Sequence, residues 1–137
     1  MTTEHPARAA SQRSMELVQR KGEGAKERWV ALFADDAIIE DPIGQSPLDP
    51  EGKGHRGKEA IAAFWDMAIA PVELNFDIRA SYAAGSEVAN VGTIRSKLAN
   101  GVTATVEGVF TYRVDEAGKI VALRAYWELD KMMASMA

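Results

Sequence analysis

The hydrophobic period of this chain changes from 3.6 residues to two after Pro71, and that change restricts the fold more than any other feature. Before Pro71, apolar residues recur at helical spacing. After it, they alternate with polar residues, as in strands that bury one face. The clearest strand runs from Val102 to Val114, and its apolar face carries Val102, Ala104, Val106, Gly108, Phe110, Tyr112 and Val114. Helices followed by a meander of antiparallel strands indicate an α+β fold.

The element boundaries follow from period, glycine and proline. The patterns predict helices over 7–19, 25–33 and 58–70, strands over 37–40, 72–82, 87–98, 102–114 and 121–127, and a loop over 44–57. We expect one face of the 72–82 strand to carry the apolar residues Val72, Leu74, Phe76, Ile78, Ala80 and Tyr82. No internal repeat or domain boundary is visible. We therefore expect a single domain over 1–137, with a polar tail over 1–7.

The predicted helices must cover the apolar face of the sheet, because they are the only cover that the pattern provides. Four long strands also twist, so the sheet should curl around what it packs on. A curled sheet closed by helices can enclose an apolar cavity. The candidates to line it, each of which is also a natural core residue, are Phe33, Phe64, Trp65, Phe110, Tyr112 and Trp127.

Composition excludes several function classes. The net charge is -4, and the 16 Lys and Arg are spread along the chain, so no basic footprint for nucleic acid exists. Cysteine is absent, and no signal segment or membrane-length apolar run is visible, which predicts a cytoplasmic protein. We expect no metal and no cofactor. No ligand pair has metal spacing, and the Gly52–Gly57 stretch lacks the preceding strand of a phosphate-binding loop.

Asp41 is the strongest candidate for chemistry. It ends a short apolar strand and lies beside Ile38, Ile39 and Ile43, just before a Pro-x-Gly turn. Desolvation by such neighbours disfavours the charged form of a carboxyl group and makes it a better proton acceptor. The alternative is an ordinary turn residue that precedes a proline.

Four stretches, Leu32–Gly44, Gly57–Trp65, Asp115–Ile120 and Arg124–Trp127, resemble the ketosteroid isomerases of the SnoaL-like, nuclear-transport-factor-like superfamily. The resemblance implies a cone-shaped fold, with three N-terminal helices in the concave face of a strongly curved, mostly antiparallel sheet. It also implies a homodimer that pairs the other sheet face, which here carries Thr103, Thr105, Glu107, Thr111 and Arg113. In the family, the aspartate that matches Asp41 moves a proton between C4 and C6 of a 3-oxo-Δ5-steroid. A tyrosine and a protonated aspartic acid bind the dienolate oxygen.

The chain departs from that family at the oxygen-binding groups. Counted back from Asp41 without a gap, the tyrosine falls at Leu17. Counted from Asn100-Gly101, or back from Gly118, the protonated aspartate falls at Phe110. Two supporting tyrosines of some members fall at Phe33 and Trp65. The resemblance therefore implies a weak isomerase with Asp41 as base. The substrate-binding residues would be Leu17, Phe33, Phe64, Trp65, Phe110, Tyr112 and Trp127, and replacement donors would be the Tyr112 hydroxyl or the indole of Trp65 or Trp127.

Two other functions remain open at this point. The chain could bind a steroid or another hydrophobic ligand without chemistry, since the family's oxygen donors are replaced. It could also be a polyketide cyclase, a dehydratase or an epoxide hydrolase on the same fold. Dehydratases use a pocket histidine, whereas His5 lies in the predicted tail and His55 in the predicted loop. The hydrolases use an Asp-Arg-Asp set, whereas Arg113 and Arg124 alternate away from the apolar face.

Overall fold

The computed structural model describes residues 4–137. The helices are α1 (Pro6–Arg20), α2 (Ala25–Val30), α3 (Lys58–Phe64), which continues as a π-helical turn (Trp65–Ile69), and α4 (Leu129–Ser135). The strands are β1 (Phe33–Glu40), β2 (His55–Arg56), β3 (Glu73–Ala84), β4 (Glu87–Lys97), β5 (Thr103–Val114) and β6 (Ile120–Tyr126). Within residues 4–137, no helix is long and apolar enough to cross a membrane.

The six strands form one curved sheet in the order β2-β1-β6-β5-β4-β3. Neighbouring strands are antiparallel except β1 and β6, which run parallel. The N-terminal helices pack on the concave face, where Trp29, Phe33, Ile61 and Ile120 are almost fully buried. The predicted α+β fold, with helices in a strongly curved sheet, is confirmed.

The second helix ends earlier than predicted. The helical spacing extends to Phe33, but the structure ends α2 at Val30 and places Phe33 in β1, opposite Ile120. Short apolar segments are compatible with both periods, and here pairing with a distant strand decides the conformation. In the predicted tail, Pro6 and Ala7 already belong to α1, and Ala7 is fully buried. Residues 1–3 of that tail lie outside the described residues.

The structure adds a fourth helix that the sequence pattern did not predict. β6 pairs with β5 only from Val109 to Val114, and α4 packs on β5 as well. The backbone N–H of Thr105 donates to Ser135 Oγ at 2.9 Å, which ties α4 to the part of β5 that β6 leaves free. The three predicted helices are therefore not the only cover of the sheet.

A bulge in β3 reverses its alternation. Ile78 pairs with Gly92 and Ala80 pairs with Val91, so Arg79 has no partner in the register. An extra residue moves every later side chain to the opposite face. Tyr82, which the alternation placed on the apolar face, is consequently 68% exposed, whereas its neighbour Ala83 packs against the core.

Two glycines face each other across the pairing of β4 and β5. Gly92 of β4 lies directly opposite Gly108 of β5. A Cβ atom at Gly92 would lie 2.2 Å from the carbonyl oxygen of Asp77, and one at Gly108 would lie 2.1 Å from that of Tyr126. No side chain fits at such distances. β3 can approach Gly92, and β6 can approach Gly108, only because both positions are glycine.

We predict that Gly92→Ala lowers the free energy of unfolding by about 2 kcal/mol or more, because β3 must move away from the added methyl group. Urea unfolding of the variant measures this loss. Glu87→Ala, at the exposed start of the same strand, is the matched control and should change stability by less than about 0.5 kcal/mol. Equal unfolding midpoints for wild type and Gly92→Ala would show that the close approach of β3 imposes no constraint.

Candidate active site

An apolar cavity of about 380 Å³ lies between the helices and the concave face of the sheet. This volume falls within the roughly 300–1,000 Å³ that is usual for small-molecule sites. Among the described residues that line it, Asp41 has the only carboxyl group, and no Lys, Arg or His is present. The apolar wall comes mainly from the helix after Lys58, β3, β4, β5 and α4, and includes Phe64, Met67, Ile69, Leu74, Phe76, Ile94, Leu98, Val106, Phe110, Leu123, Met132 and Met136.

The parallel pairing of β1 and β6 places Asp41 in this wall. Glu40 lies opposite Arg124 in the register, so the C-terminal ends of the two strands lie side by side. Glu40 binds Arg124, with 2.9 Å between Oε1 and Nε. Successive residues of a strand point to opposite faces. The next side chain, Asp41, therefore lines the cavity, where its Oδ1 accepts a hydrogen bond from Trp127 Nε1 at 2.7 Å.

The surroundings of Asp41 make it a stronger base than a surface aspartate. Burial raises the pKa of the Asp41 carboxyl group, and the Trp127 hydrogen bond and the charge of His55 oppose that rise. His55 lies in β2, with its ring 5.0 Å from that of Phe64. The Trp127 bond engages Oδ1, so Oδ2 remains to take a proton from a ligand.

A second polar group in the wall is a chain of three side chains from different elements. Trp29 Nε1 of α2 donates to Ser14 Oγ of α1 at 3.0 Å, and Ser14 Oγ lies 3.1 Å from the hydroxyl oxygen of Tyr112 of β5. All three residues are at most 4% exposed. Burial raises the pKa of Tyr112 well above its usual value, the Ser14 bond opposes the rise and the charge of Asp41 adds to it. Tyr112 therefore stays protonated at neutral pH.

The structure brings together most of the residues that the sequence analysis selected. Asp41, Phe64, Phe110, Tyr112 and Trp127 all line the cavity. Because the Trp127 indole N–H is bound to Asp41, it no longer serves as a replacement donor for a ligand oxygen. Tyr112, whose hydroxyl the sequence analysis considered as a replacement donor, lines the cavity together with Ser14, its hydrogen-bond partner.

Leu17, Phe33 and Trp65, which were expected to bind the substrate, are not among the cavity-lining residues. Phe33 and Trp65 pack on Trp29 in the core, with ring centroids 4.8 Å and 5.4 Å from it. They support the wall from behind. Leu17 lies partly buried against the same core, and the residues of α1 that line the cavity are Ser14 and Val18.

Sequence reasoning missed Ser14, Trp29 and the residues of α4. Ser14 had a signal, because it occupies the buried stripe of α1 that also carries Ala7, Ala10 and Val18. A buried hydroxyl needs a partner, which is either a carbonyl of its own helix, as for Ser11 with Arg8, or a group on another element, as for Ser14. Met132 of α4 and Met136, which follows that helix, had a weaker signal, since a helix of seven residues shows little periodicity.

The chain was then compared with known proteins. The family profile described as "SnoaL-like domain" matches residues 12–123. This chain belongs to the SnoaL-like domain family. The family predicted from the four stretches is thereby confirmed.

Several solved structures resemble this SnoaL-like protein over nearly its whole length. The Δ5-3-ketosteroid isomerase from Mycobacterium sp. is 46% identical, with a TM-score of 0.87 over 94% of this chain and 98% of that one. RV0760c from Mycobacterium tuberculosis, in complex with estradiol-17β-hemisuccinate, is 43% identical, with a TM-score of 0.86 over 93% of this chain and 98% of that one. A computationally designed 17-OHP binder is 42% identical, with a TM-score of 0.87 over 93% of this chain and 97% of that one.

We predict that Asp41→Asn stabilises the protein, and more so as the pH rises. The folded state raises the pKa of Asp41, so ionisation of this group costs stability above its unfolded pKa of about 4. Below that pH the carboxyl group is protonated in both states and the variant gains nothing. The gain grows up to the folded pKa and stays constant above it. Asn retains an oxygen that can accept the Trp127 N–H bond.

Thermal unfolding of wild type and Asp41→Asn between about pH 4 and about pH 8 measures this difference across the relevant range. Asp35→Asn is the matched control, because Asp35 is exposed on the same strand and its substitution should give no gain that grows with pH. A melting temperature of Asp41→Asn that follows the wild type at every pH would contradict a desolvated carboxyl group.

Proposed function

We propose that this SnoaL-like protein binds a steroid, or a similarly flat polycyclic ketone, and moves an allylic proton of that ligand with Asp41 as general base. The observation that carries the proposal is the single carboxyl group in an otherwise uncharged apolar wall, oriented by Trp127. The similarity to a Δ5-3-ketosteroid isomerase over almost the whole chain supports it.

The reaction that this arrangement supports transposes a double bond. Asp41 removes a proton from C4 of a 3-oxo-Δ5-steroid, between the carbonyl group and the double bond. The electron pair of the broken C–H bond forms the C3=C4 double bond, and the π pair of the carbonyl group moves onto the C3 oxygen, which gives a dienolate. The same carboxyl group then returns the proton to C6, so the product is the conjugated isomer and no net proton or electron is lost. Burial helps because a carboxyl group with a raised pKa accepts a proton from carbon more readily.

We expect the turnover to be weak by comparison with the full donor set that the family resemblance implies. Phe110 lines the cavity where that resemblance places a protonated aspartic acid, and a phenyl ring donates no hydrogen bond. Loss of one oxyanion donor typically lowers turnover by about 10² to 10³. A placed base still contributes roughly 10² to 10⁴. A slow but measurable isomerisation is the expected balance.

The second candidate is a steroid-binding protein without chemistry. The estradiol-17β-hemisuccinate complex of RV0760c and the designed 17-OHP binder support it, because both resemble this chain as closely as the isomerase does in fold. Phe110 also favours a binding protein, because a phenyl ring donates no hydrogen bond to a ligand oxygen. The expected homodimer, through the sheet face that carries Thr103, Glu107 and Arg113, stays a prediction for either function.

We predict that Asp41→Asn abolishes isomerisation of a 3-oxo-Δ5-steroid while steroid binding is kept, because Asn fills the same space and accepts no proton. A panel of steroids and polycyclic ketones, ranked by thermal shift, identifies ligands for the assay. The absorbance of the conjugated enone then reports turnover, which should fall by about 10² or more. Asp35→Asn is the control and should turn over like the wild type.

Equal turnover by wild type and Asp41→Asn would end the catalytic proposal. Tight steroid binding by the wild type, without turnover at any pH in the range of the protein's stability, would select the binding protein.

A further inference from the structure

We propose that Tyr112 donates its hydroxyl hydrogen to the carbonyl oxygen of the bound ligand, and that Ser14 and Trp29 orient that hydroxyl. This inference rests on the proposed function and adds its oxyanion donor. The resemblance implied a tyrosine on α1, counted at Leu17. The structure instead supplies a phenol from β5, which is hydrogen-bonded to Ser14 of α1 in the cavity wall.

The indole of Trp29 fixes the direction of the first hydrogen bond, and we take Ser14 as the donor in the second, in which either hydroxyl can donate. An indole N–H can only donate, so Ser14 Oγ accepts from Trp29. The hydroxyl hydrogen of Ser14 then has the Tyr112 oxygen, 3.1 Å away, as its partner. With that bond made, the hydrogen of Tyr112 is left for the cavity.

The opposite direction is less favourable. If Tyr112 donated to Ser14 in the ligand complex, the Ser14 hydrogen would have no partner, whereas donation from Ser14 to Tyr112 and from Tyr112 to the ligand gives both hydroxyl hydrogens a partner. An unsatisfied buried donor costs about 1–3 kcal/mol. A ligand carbonyl in the cavity selects the chain that runs from Trp29 through Ser14 to Tyr112 and ends on the ligand. Each bond in such a chain polarises the next, so the terminal hydroxyl becomes a better donor than an isolated phenol.

The donor is held rigidly. Tyr112 lies in the middle of the sheet, with its backbone opposite Val88 of β4 and Leu123 of β6. Its side chain is 4% exposed, and Trp29 is fixed among Phe33, Phe64 and Trp65. A preorganised donor needs no rearrangement as charge develops on the ligand, which is the source of its catalytic effect.

Asp41 and Tyr112 complement each other electrostatically. Both line one cavity, and they are close enough for the charge of Asp41 to act on the Tyr112 hydroxyl. Asp41 acts as a base from its carboxylate form, so the negative charge lies on Asp41 before the proton transfer. When Asp41 takes the proton, the charge moves to the ligand oxygen, and the hydrogen bond from Tyr112 becomes charge-assisted and stronger. Tyr112 therefore binds the dienolate better than the ketone, as a group that speeds the reaction must.

Tyr112→Phe tests the donor because it removes the hydroxyl oxygen and keeps the ring. We expect kcat to fall by about 10² to 10³ and KM to change little. Tyr82→Phe is the matched control, since Tyr82 is 68% exposed and its hydroxyl lies outside the cavity wall. It should turn over like the wild type.

A readout independent of turnover uses the carbonyl stretching frequency of a bound 3-oxo steroid, measured by infrared difference spectroscopy on the Asp41→Asn variant. A hydrogen bond to the C3 oxygen lowers that frequency. We expect the lowering in Asp41→Asn, its loss when Tyr112→Phe is added, and a partial loss when Ser14→Ala is added. Ser14→Thr, which keeps the hydroxyl, should restore part of it. A merely structural role of Ser14 would change stability and leave this frequency unchanged.

The outcomes separate the two proposals. A lowered carbonyl frequency that disappears with Tyr112→Phe, in a protein without turnover, supports the donor and refutes the catalytic function. Turnover that depends on Asp41, with the rate and the carbonyl frequency unchanged in Tyr112→Phe, overturns the donor and keeps the function. Failure of every 3-oxo steroid to bind overturns both.

Discussion

The hydrogen bond between Trp127 Nε1 and Asp41 Oδ1 joins two residues that are 86 positions apart, and the site depends on it. It forms because β1 and β6 run parallel and their C-terminal ends lie side by side. A slip of this pairing by one residue would exchange the faces of Glu40 and Asp41. Glu40, with Arg124, would then compete for the cavity, and the carboxyl group of Asp41 would meet solvent. The register of one strand pair therefore determines which acid can act as a base.

The same burial that makes Asp41 reactive also costs stability. An ionised carboxyl group in an apolar wall loses solvation, and a single hydrogen bond from Trp127 and the charge of His55 recover only part of it, since the pKa of Asp41 remains raised. Complete compensation, for example by an arginine in the cavity, would stabilise the anion and weaken the base. Among the described residues the arginine nearest in register, Arg124, instead binds Glu40 on the other face. The wall thus keeps Asp41 poorly satisfied, which is typical of a functional acid.

The sequence was sufficient for what depends on local period. The alternating strands, the helix after Gly57 and the exposure of Asp41 to an apolar environment all follow from neighbours along the chain. It was insufficient where distant pairing decides. Phe33 lies on a helical face by spacing, yet pairing with Ile120 makes it part of β1. The bulge at Arg79, which turns Tyr82 outward, depends on the close approach to Gly92 and leaves no trace in the composition of β3.

The site shows why counting residues finds a base more reliably than its partners. Asp41 directly follows a strand, so its position in the sequence determines its position in the fold. A donor to the ligand oxygen needs only a hydrogen in the right place. Either the helices or the sheet can supply it. Here α1 contributes the short side chain, Ser14, and β5 contributes the long one, Tyr112, and their oxygens meet at 3.1 Å. A count back from Asp41 reaches Leu17 on α1, whose side chain has no hydrogen-bond donor. The geometry across the cavity shows a hydroxyl, because the phenol that α1 lacks comes from the opposite wall.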